Sequence, residues 1–357
     1  MTMQGFGRLC CLLLLPLAAL AKTESGRELA ARQGIPYPAV IAHRGASFDA
    51  PESTAAAYVL ARELGVDYLE LDLQRSKDGV LVAVHDDNLL RTSDVAERFP
   101  QRKNSPVSAF TLAELKSLDA GSWFNQAYPE RARSGFKGLQ ILTLDEVMDI
   151  AEGHPNKRPG LYIETKVPTL FPGIEADLKA RLHARGWLDQ PGRVVLQSFD
   201  RNSLALLHKE MPQVPKVLLL WVGKGSIEPA SAQSFAESGE TDKAAFYARQ
   251  QPRSKAEFER WLDYAKAAGA IGTGPSAALT GGGAQSYADL VQPWMNQLSH
   301  DKGLLVHVYT VDEAVDVDKV MAAGVDGIFT NRSGRLLEYF SRPAPMSEAQ
   351  ILDAQSF

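Results

Sequence analysis

Cysteine is nearly absent from this chain. It has two among 357 residues, Cys10 and Cys11, side by side near the start, so a disulfide scaffold is excluded. Positive charge is not in excess either. Thirty-eight Lys and Arg against 43 Asp and Glu give a net charge of −5, so the basic footprint that a DNA or RNA partner requires is missing. The apolar run at residues 9–21 spans 13 positions, short of the roughly 20 a membrane-crossing helix needs, so a multi-span membrane protein is excluded. Aromatics are sparse at 8%, but 45% hydrophobic and 23% charged residues are what a soluble globular chain with a sizeable core requires. Collagen and wholesale disorder drop out on the same ground. The length suits one barrel of about 250 residues with insertions, or two domains of about 150.

The 9–21 run follows Arg8 and ends in Ala19-Leu20-Ala21, an A-x-A cleavage pattern. A buried helix there would carry Pro16 in its middle. The segment therefore predicts a cleaved signal peptide, residues 1–21, and export. Both cysteines leave with it, and the remaining chain needs no disulfide machinery. Residues 22–37 are expected to be a linker, 38–342 a single domain, and 343–357 a loosely held tail.

Past residue 37, β-type runs at 40–42, 68–74, 80–85, 161–165, 194–197, 217–221, 270–273, 304–309 and 327–329 alternate with helical patterns. The helical patterns fall at 53–64, 144–152, 176–185, 202–210, 255–268, 288–300 and 312–323. Such alternation predicts a parallel sheet with helical crossovers. Only Ser76-Lys77-Asp78-Gly79 separates the second run from the third, which suits an antiparallel hairpin and not a crossover. Setting the return strand aside leaves eight strands and predicts an α/β fold, a (β/α)8 TIM barrel with an extra hairpin strand after β2. Residues 94–140, with one helix at 112–118, and 224–251 are expected to be insertions without independent cores. Residues 272–285, which include Gly281-Gly282-Gly283, are expected to form a mobile loop.

Glu70 and Asp72 leave the same face of one strand, with Cα atoms roughly 6.5 Å apart, while Leu69, Leu71 and Leu73 face the helices. Two carboxylates on an inner face are costly to bury unpaired, so they predict a cation. Pairing Gln74 with Val80 sets His85 opposite residues 69 to 70, beside the acids. His43-Arg44-Gly45 ends the first strand, at the mouth where barrel enzymes keep their sites. Glu164 supplies a third carboxylate, and this all-oxygen set suits Ca²⁺ or Mg²⁺ over Zn²⁺. Arg44 and Lys166 add the positive charge that a phosphate would require.

In order along the chain, His43-Arg44-Gly45, Pro51-Glu52-Ser53-Thr54, residues 69–72, Lys77-Asp78-Gly79, His85-Asp86 and Leu90-Arg91-Thr92 resemble the glycerophosphodiester phosphodiesterase family. They look most like its exported bacterial branch. Residues 94–100 resemble that branch's insertion, and the match spans about 41–332. The resemblance implies a divalent cation and hydrolysis of glycerophosphodiesters, such as the choline and ethanolamine esters, to sn-glycerol 3-phosphate and an alcohol. Carried over, Glu70, Asp72 and Glu164 are the metal ligands, and His43 and His85 the acid–base pair. Arg44 and Lys166 hold phosphate, with Gln197 and Tyr309 lining the mouth. Two positions depart from the pattern: Ser53 stands where the family often has Asn, and Tyr309 where many members have Trp. His307 could be a substrate contact or a core histidine.

The expected partner is a small-molecule substrate, with no nucleic acid, no stable membrane anchor and a periplasmic location. The oligomeric state is left open. Two alternatives remain: a related barrel phosphodiesterase acting on lipid headgroups, and a non-catalytic exported binding protein. The nucleophile, water or the substrate's own glycerol hydroxyl, is also open, as is which histidine is the acid.

Overall fold

The computed structural model describes residues 25–281 and 288–357. The predicted signal peptide, with both cysteines, and residues 282–285 of the expected mobile loop lie outside the described residues. Among the described residues nine strands form: β1 (Ala39–Ala42), β2 (Tyr68–Arg75), β3 (Leu81–Ala83), β4 (Gly160–Thr165), β5 (Val194–Ser198), β6 (Lys216–Leu220), β7 (Gly272–Pro275), β8 (Leu305–Val308) and β9 (Gly327–Thr330). All but β3 pair in parallel and close on themselves, β9 meeting β1 and β1 meeting β2. This is the expected eight-stranded TIM barrel. Since β4 runs along one whole edge of β2, β1 and β3 share the other: β1 takes its start (Ile41↔Tyr68) and β3, antiparallel, its end (Leu73↔Ala83).

The helices that matter for the site follow the strand runs: α1 (Gly26–Gln33), α2 (Ala55–Leu64), α3 (Leu144–Glu152), α4 (Ile174–Ala184), α5 (Arg201–Glu210), α6 (Lys255–Ala267), α7 (Pro293–Asp301), α8 (Ala314–Ala322), α9 (Ser333–Tyr339) and α10 (Glu348–Ala354). Their starts are legible locally. Thr143 caps α3 in a reciprocal box with Glu146, and Ser347 does the same for α10 with Gln350, satisfying amide groups that a helix start leaves open. One large core fills the space between barrel and helices and includes Leu69, Leu71, Leu73, Leu161, Ile163 and Leu218. A second core lies inside the barrel floor, where Tyr68, Tyr162, Val195, Val217, Leu305 and Phe329 meet Leu29 and Ala30 of α1.

Five expectations need correcting. The hairpin pairs Gln74 with Val82, not Val80, because Ser76 N–H bonds Val80 O at 2.8 Å and leaves a turn of Lys77, Asp78 and Gly79. His85 therefore comes level with Leu71. The 22–37 segment folds from Ser25 into α1, capped by Ser25 and Glu28, and plugs the barrel floor. The 343–357 tail is docked: Ile351 and Leu352 of α10 are buried, and Arg133 binds Asp353 and the carbonyl oxygen of Phe357. The 94–140 insertion has a small core of its own, Val95, Val107, Phe110, Leu115 and Leu118 packed on Val82 and Val84. Finally, α7 starts at Pro293 and not at 288, since Pro at the first helical position sets the start. Among the described residues, no helix is long and apolar enough to cross a membrane.

Candidate active site

The C-terminal ends of the barrel strands surround one cavity lined by His43, Arg44, Glu70, Asp72, His85, Glu164, Lys166, Gln197 and Tyr309, with Phe199, Leu219 and Phe329. Every residue singled out from sequence as catalytic, metal-ligating or substrate-binding is in that lining. A larger surface cavity of about 290 Å³ lies at the opposite end of the barrel, beside Trp187, Pro191 and Val214. It gathers no histidine and no carboxylate cluster, so the smaller cavity is the candidate site.

The strand period sets the acids. Tyr68, Glu70 and Asp72 alternate inward from β2, and Tyr162 and Glu164 inward from β4, with Asp72 level with Glu164. Glu70, Asp72 and Glu164 each offer an oxygen, and these oxygens lie within 4.8 Å of one another. All three residues are buried. Burial, and then the Asp72 charge, push the Glu70 pKa well above the usual carboxylate range. Burial raises Glu164 to about 7, although Lys166 pulls the other way. Burial would raise Asp72 as well, but the positive charges of Lys166 and Arg44 are among those that hold it low.

Arg44 is held at φ 57, and its backbone N–H donates to Glu70 Oε2 at 2.8 Å. Its side chain donates to Glu52 at 3.0 Å and its Nε lies 3.4 Å from Asp72. Gly45 follows at φ +85, and a Cβ there would sit 2.6 Å from the Ala57 carbonyl carbon. Only glycine allows the loop to pass α2 so closely. Lys166 Nζ is 3.1 Å from Glu164 and 3.5 Å from Asp72. These carboxylates oppose their strong desolvation and keep both cations charged.

The two histidines enter from different elements. His43 directly follows β1 and its Nδ1 is 2.8 Å from Asn331 Oδ1. Burial, with help from the Arg44 charge, lowers its pKa to about 3, so the ring is neutral. His85 follows the hairpin strand, and its Nδ1 is 2.7 Å from Asp86 Oδ1. Asp86 is held in turn by Arg91 at 2.6 Å, and Arg91 also grips Glu52. Glu52 falls to about 2, since Arg91 and Arg44 outweigh its burial.

Five residues outside the candidate list complete the site. Glu52, Asp86 and Arg91 stand inside the motifs noted above. Asn331 and Phe199 carried no motif, though both sit just past a barrel strand, where mouth residues are expected. Tyr309 donates its hydroxyl to Leu220 O at 2.8 Å and meets Phe199 edge to face. His307 is a core residue: it is fully buried, its Nδ1 is 2.9 Å from the Tyr162 hydroxyl, and burial lowers it to about 4.

The three acids fit a divalent cation. Among the described residues Gln197 Oε1 is buried without a hydrogen-bond partner, and Asp72 Oδ2 accepts no hydrogen bond although Arg44 Nε stands 3.4 Å away, so both oxygens have capacity left for an electropositive ligand. The donors are all oxygen, as Ca²⁺ and Mg²⁺ prefer.

A TIM barrel with a histidine pair and an acidic cluster at its mouth defines a class of barrel hydrolases. The model of the glycerophosphoryl diester phosphodiesterase family matches residues 43–335, and the chain belongs to that family. It is 37% identical over 295 residues to the glycerophosphodiester phosphodiesterase of Bacillus subtilis, covering 82% of each chain. It is 28% identical to the Haemophilus influenzae enzyme, covering 82% of this chain and 86% of the other. Among solved structures, a phosphodiesterase from Oleispira antarctica, in complex with the product sn-glycerol-3-phosphate, aligns with a TM-score of 0.58 at 24% identity. That alignment covers 85% of this chain and 97% of the other. A glycerophosphodiester phosphodiesterase from Agrobacterium tumefaciens aligns with a TM-score of 0.54 over 83% and 96%, also at 24% identity. The chain is accordingly a phosphodiesterase of the glycerophosphodiester class.

Proposed function

We propose that this enzyme hydrolyses glycerophosphodiesters, among them the choline and ethanolamine esters, to sn-glycerol 3-phosphate and an alcohol. In this proposal His43 and His85 move the protons, and one divalent cation, Ca²⁺ first and Mg²⁺ second, is held by Glu70, Asp72 and Glu164. The observation that carries it is the meeting of three buried carboxylates with two histidines and two cations in one cavity. The sn-glycerol-3-phosphate bound by the Oleispira protein supports the choice of product.

Bound there, the cation would supply Lewis-acid stabilisation of negative charge on the phosphate. Arg44 and Lys166, whose charges stand beside Asp72, would orient the phosphate and balance its charge. One histidine takes the proton from the attacking hydroxyl as the new P–O bond forms. The other returns a proton to the alcohol oxygen as the old P–O bond breaks. Gln197 would face the same group, and Tyr309 with Phe199 would give the glycerol carbons an apolar wall.

Export belongs to the same proposal, supported by the 9–21 apolar run and the Ala19-Leu20-Ala21 pattern. Material recovered from the periplasm of a Gram-negative host should begin at Lys22. Intact Met1 on soluble cytoplasmic protein would overturn this part. For the activity, purified enzyme is incubated with glycerophosphocholine, and glycerol 3-phosphate is measured with Ca²⁺, with Mg²⁺ and with EDTA. Release that EDTA abolishes is the expected result. Release that persists in EDTA would overturn the metal role, and no release from folded protein would overturn the substrate.

A further inference from the structure

The group that sets the state of His43 lies outside the cavity. Asp312, just past β8, accepts from the Asn331 backbone N–H at 2.7 Å and from the Thr330 hydroxyl at 3.0 Å. Its other oxygen is 2.8 Å from Asn331 Nδ2. A carboxylate bonded in this way only accepts, so the Asn331 atom that faces it has to be the amide nitrogen. The amide oxygen is thereby turned to His43, 2.8 Å from Nδ1. An amide oxygen also only accepts, so Nδ1 carries the hydrogen and Nε2 keeps its lone pair. Ser47 Oγ braces the pair, 2.8 Å from His43 O and 2.9 Å from Asn331 Oδ1.

His85 has a different partner. Its Nδ1 faces the ionic acceptor Asp86, itself clamped by Arg91. His85 thus has an ionic acceptor at Nδ1 where His43 has a neutral one.

We propose that Asn331, oriented by Asp312, is a positioning residue that locks His43 in the Nδ1–H form with Nε2 as proton acceptor, making His43 the base and leaving His85 the acid. This rests on the function proposed above, in which both histidines act on the substrate.

The test compares Asn331→Ala, Asp312→Asn and the exchanged double variant Asp312→Asn/Asn331→Asp, with His43→Ala as reference. Turnover of glycerophosphocholine is measured in Ca²⁺. Asn331→Ala should lose about 10²-fold in kcat, less than the roughly 10⁴-fold of an enforced wrong imidazole tautomer because alanine frees the ring and does not fix the wrong form, with KM within about 3-fold. Asp312→Asn lets the Asn331 amide turn over and should lose kcat as well. The exchanged variant restores an acceptor at Nδ1 and should recover most of it, a rescue that a merely structural role would not give. Independently, the ¹⁵N-histidine spectrum of the unmodified enzyme should show His43, assigned by its loss in His43→Ala, with Nδ1 protonated and Nε2 bare. Asn331→Ala with kcat within about 3-fold of the parent, or a His43 ring protonated at Nε2, overturns the inference. If instead His43→Ala itself turns over normally, the function proposed for His43 fails. Should Asn331→Ala not fold, the spectrum of the parent enzyme decides.

Discussion

Replacing Glu70 by Gln should make the cation-free enzyme more stable and reduce the stability that a bound cation adds. The oxygens of Glu70, Asp72 and Glu164 lie within 4.8 Å of one another. Two unit charges at that separation repel by about 3.5 kcal/mol at an effective dielectric of about 20. Arg44 and Lys166 offset part of this through Asp72. The amide would keep the bond that Glu70 accepts from Arg44 N–H, and Gln197 can turn its own amide to suit the new group. A net gain of about 1–3 kcal/mol, or roughly 2–8 °C in Tm, is expected without cation. The pH dependence has a fixed sign. Burial and Asp72 raise the folded pKa of Glu70 above its ordinary 4.5, so the cation-free parent loses stability as pH climbs from there toward the raised value. The advantage of the variant should therefore open with pH. Ca²⁺ at about 100 times its Kd adds about 2.7 kcal/mol to the parent and less to a variant with one ligand charge fewer, so the variant's lead narrows, and it inverts where the difference in Ca²⁺ stabilisation exceeds the cation-free gain. Thermal melts in EDTA and in excess CaCl2, at about pH 5 and about pH 7.5, read this directly. A variant that melts below the parent in EDTA at the higher pH would refute the account and make Glu70 a structural acceptor.

Three other outcomes are expected. Removing either ring, His43→Ala or His85→Ala, should lower kcat by about 10²- to 10⁴-fold while the Ca²⁺-induced rise in Tm persists; near-normal turnover in both would end the assignment. His300 Nε2 is 2.8 Å from buried Asp326, whose hydrogen bond raises the His300 pKa above 6.5. That stabilisation is full below 6.5 and fades as pH rises through the raised folded value, so His300→Gln should cost about 1–2 kcal/mol at about pH 6 and much less at about pH 9. Urea melts giving the same loss at both would argue against the ion pair. Ile351→Ala in α10 should cost about 2–4 kcal/mol by urea denaturation, and a loss under about 0.5 kcal/mol would mean that the docked C-terminal helix contributes little.

How far the sequence reaches depends on whether a feature is local. The strands were legible because each short β-type run is bounded by turn residues, and the inward acids because Glu70 and Asp72 alternate with leucines that need a core. The hairpin was legible, but its register was not. Whether Ser76 belongs to the turn or to the ladder depends on a single bond to Val80 O, and shifting it moves every pair by two. The docked tail did leave a trace, the Ser347–Gln350 cap ahead of Ile351 and Leu352, which a Pro-rich entry obscured. The Asp312–Asn331–His43 relay had none. Asn331 and His43 are 288 residues apart, and they meet only because β9 closes the barrel onto β1.

That closure explains why the two histidines need different support. His43 sits at the end of a strand paired on both sides, so its backbone is fixed by the barrel and only its ring must be oriented. His85 follows β3, three residues long, paired along its length with β2 and touched on its other side only by a single bridge, Val82 to Thr143, and such a strand has little stability of its own. The insertion makes up the difference. Phe110 and Leu115 pack under Val82 and Val84, Phe110 O accepts from Lys77 N–H at 2.8 Å, and Arg102 stacks on Phe99 and Phe110. The Arg91 that clamps Asp86 lies over the Trp123 ring, again within the insertion. What looked like a polar interruption of the barrel is thus the support for one of the two histidines at its mouth. Its small core would be hard to lose without displacing His85 from the acids.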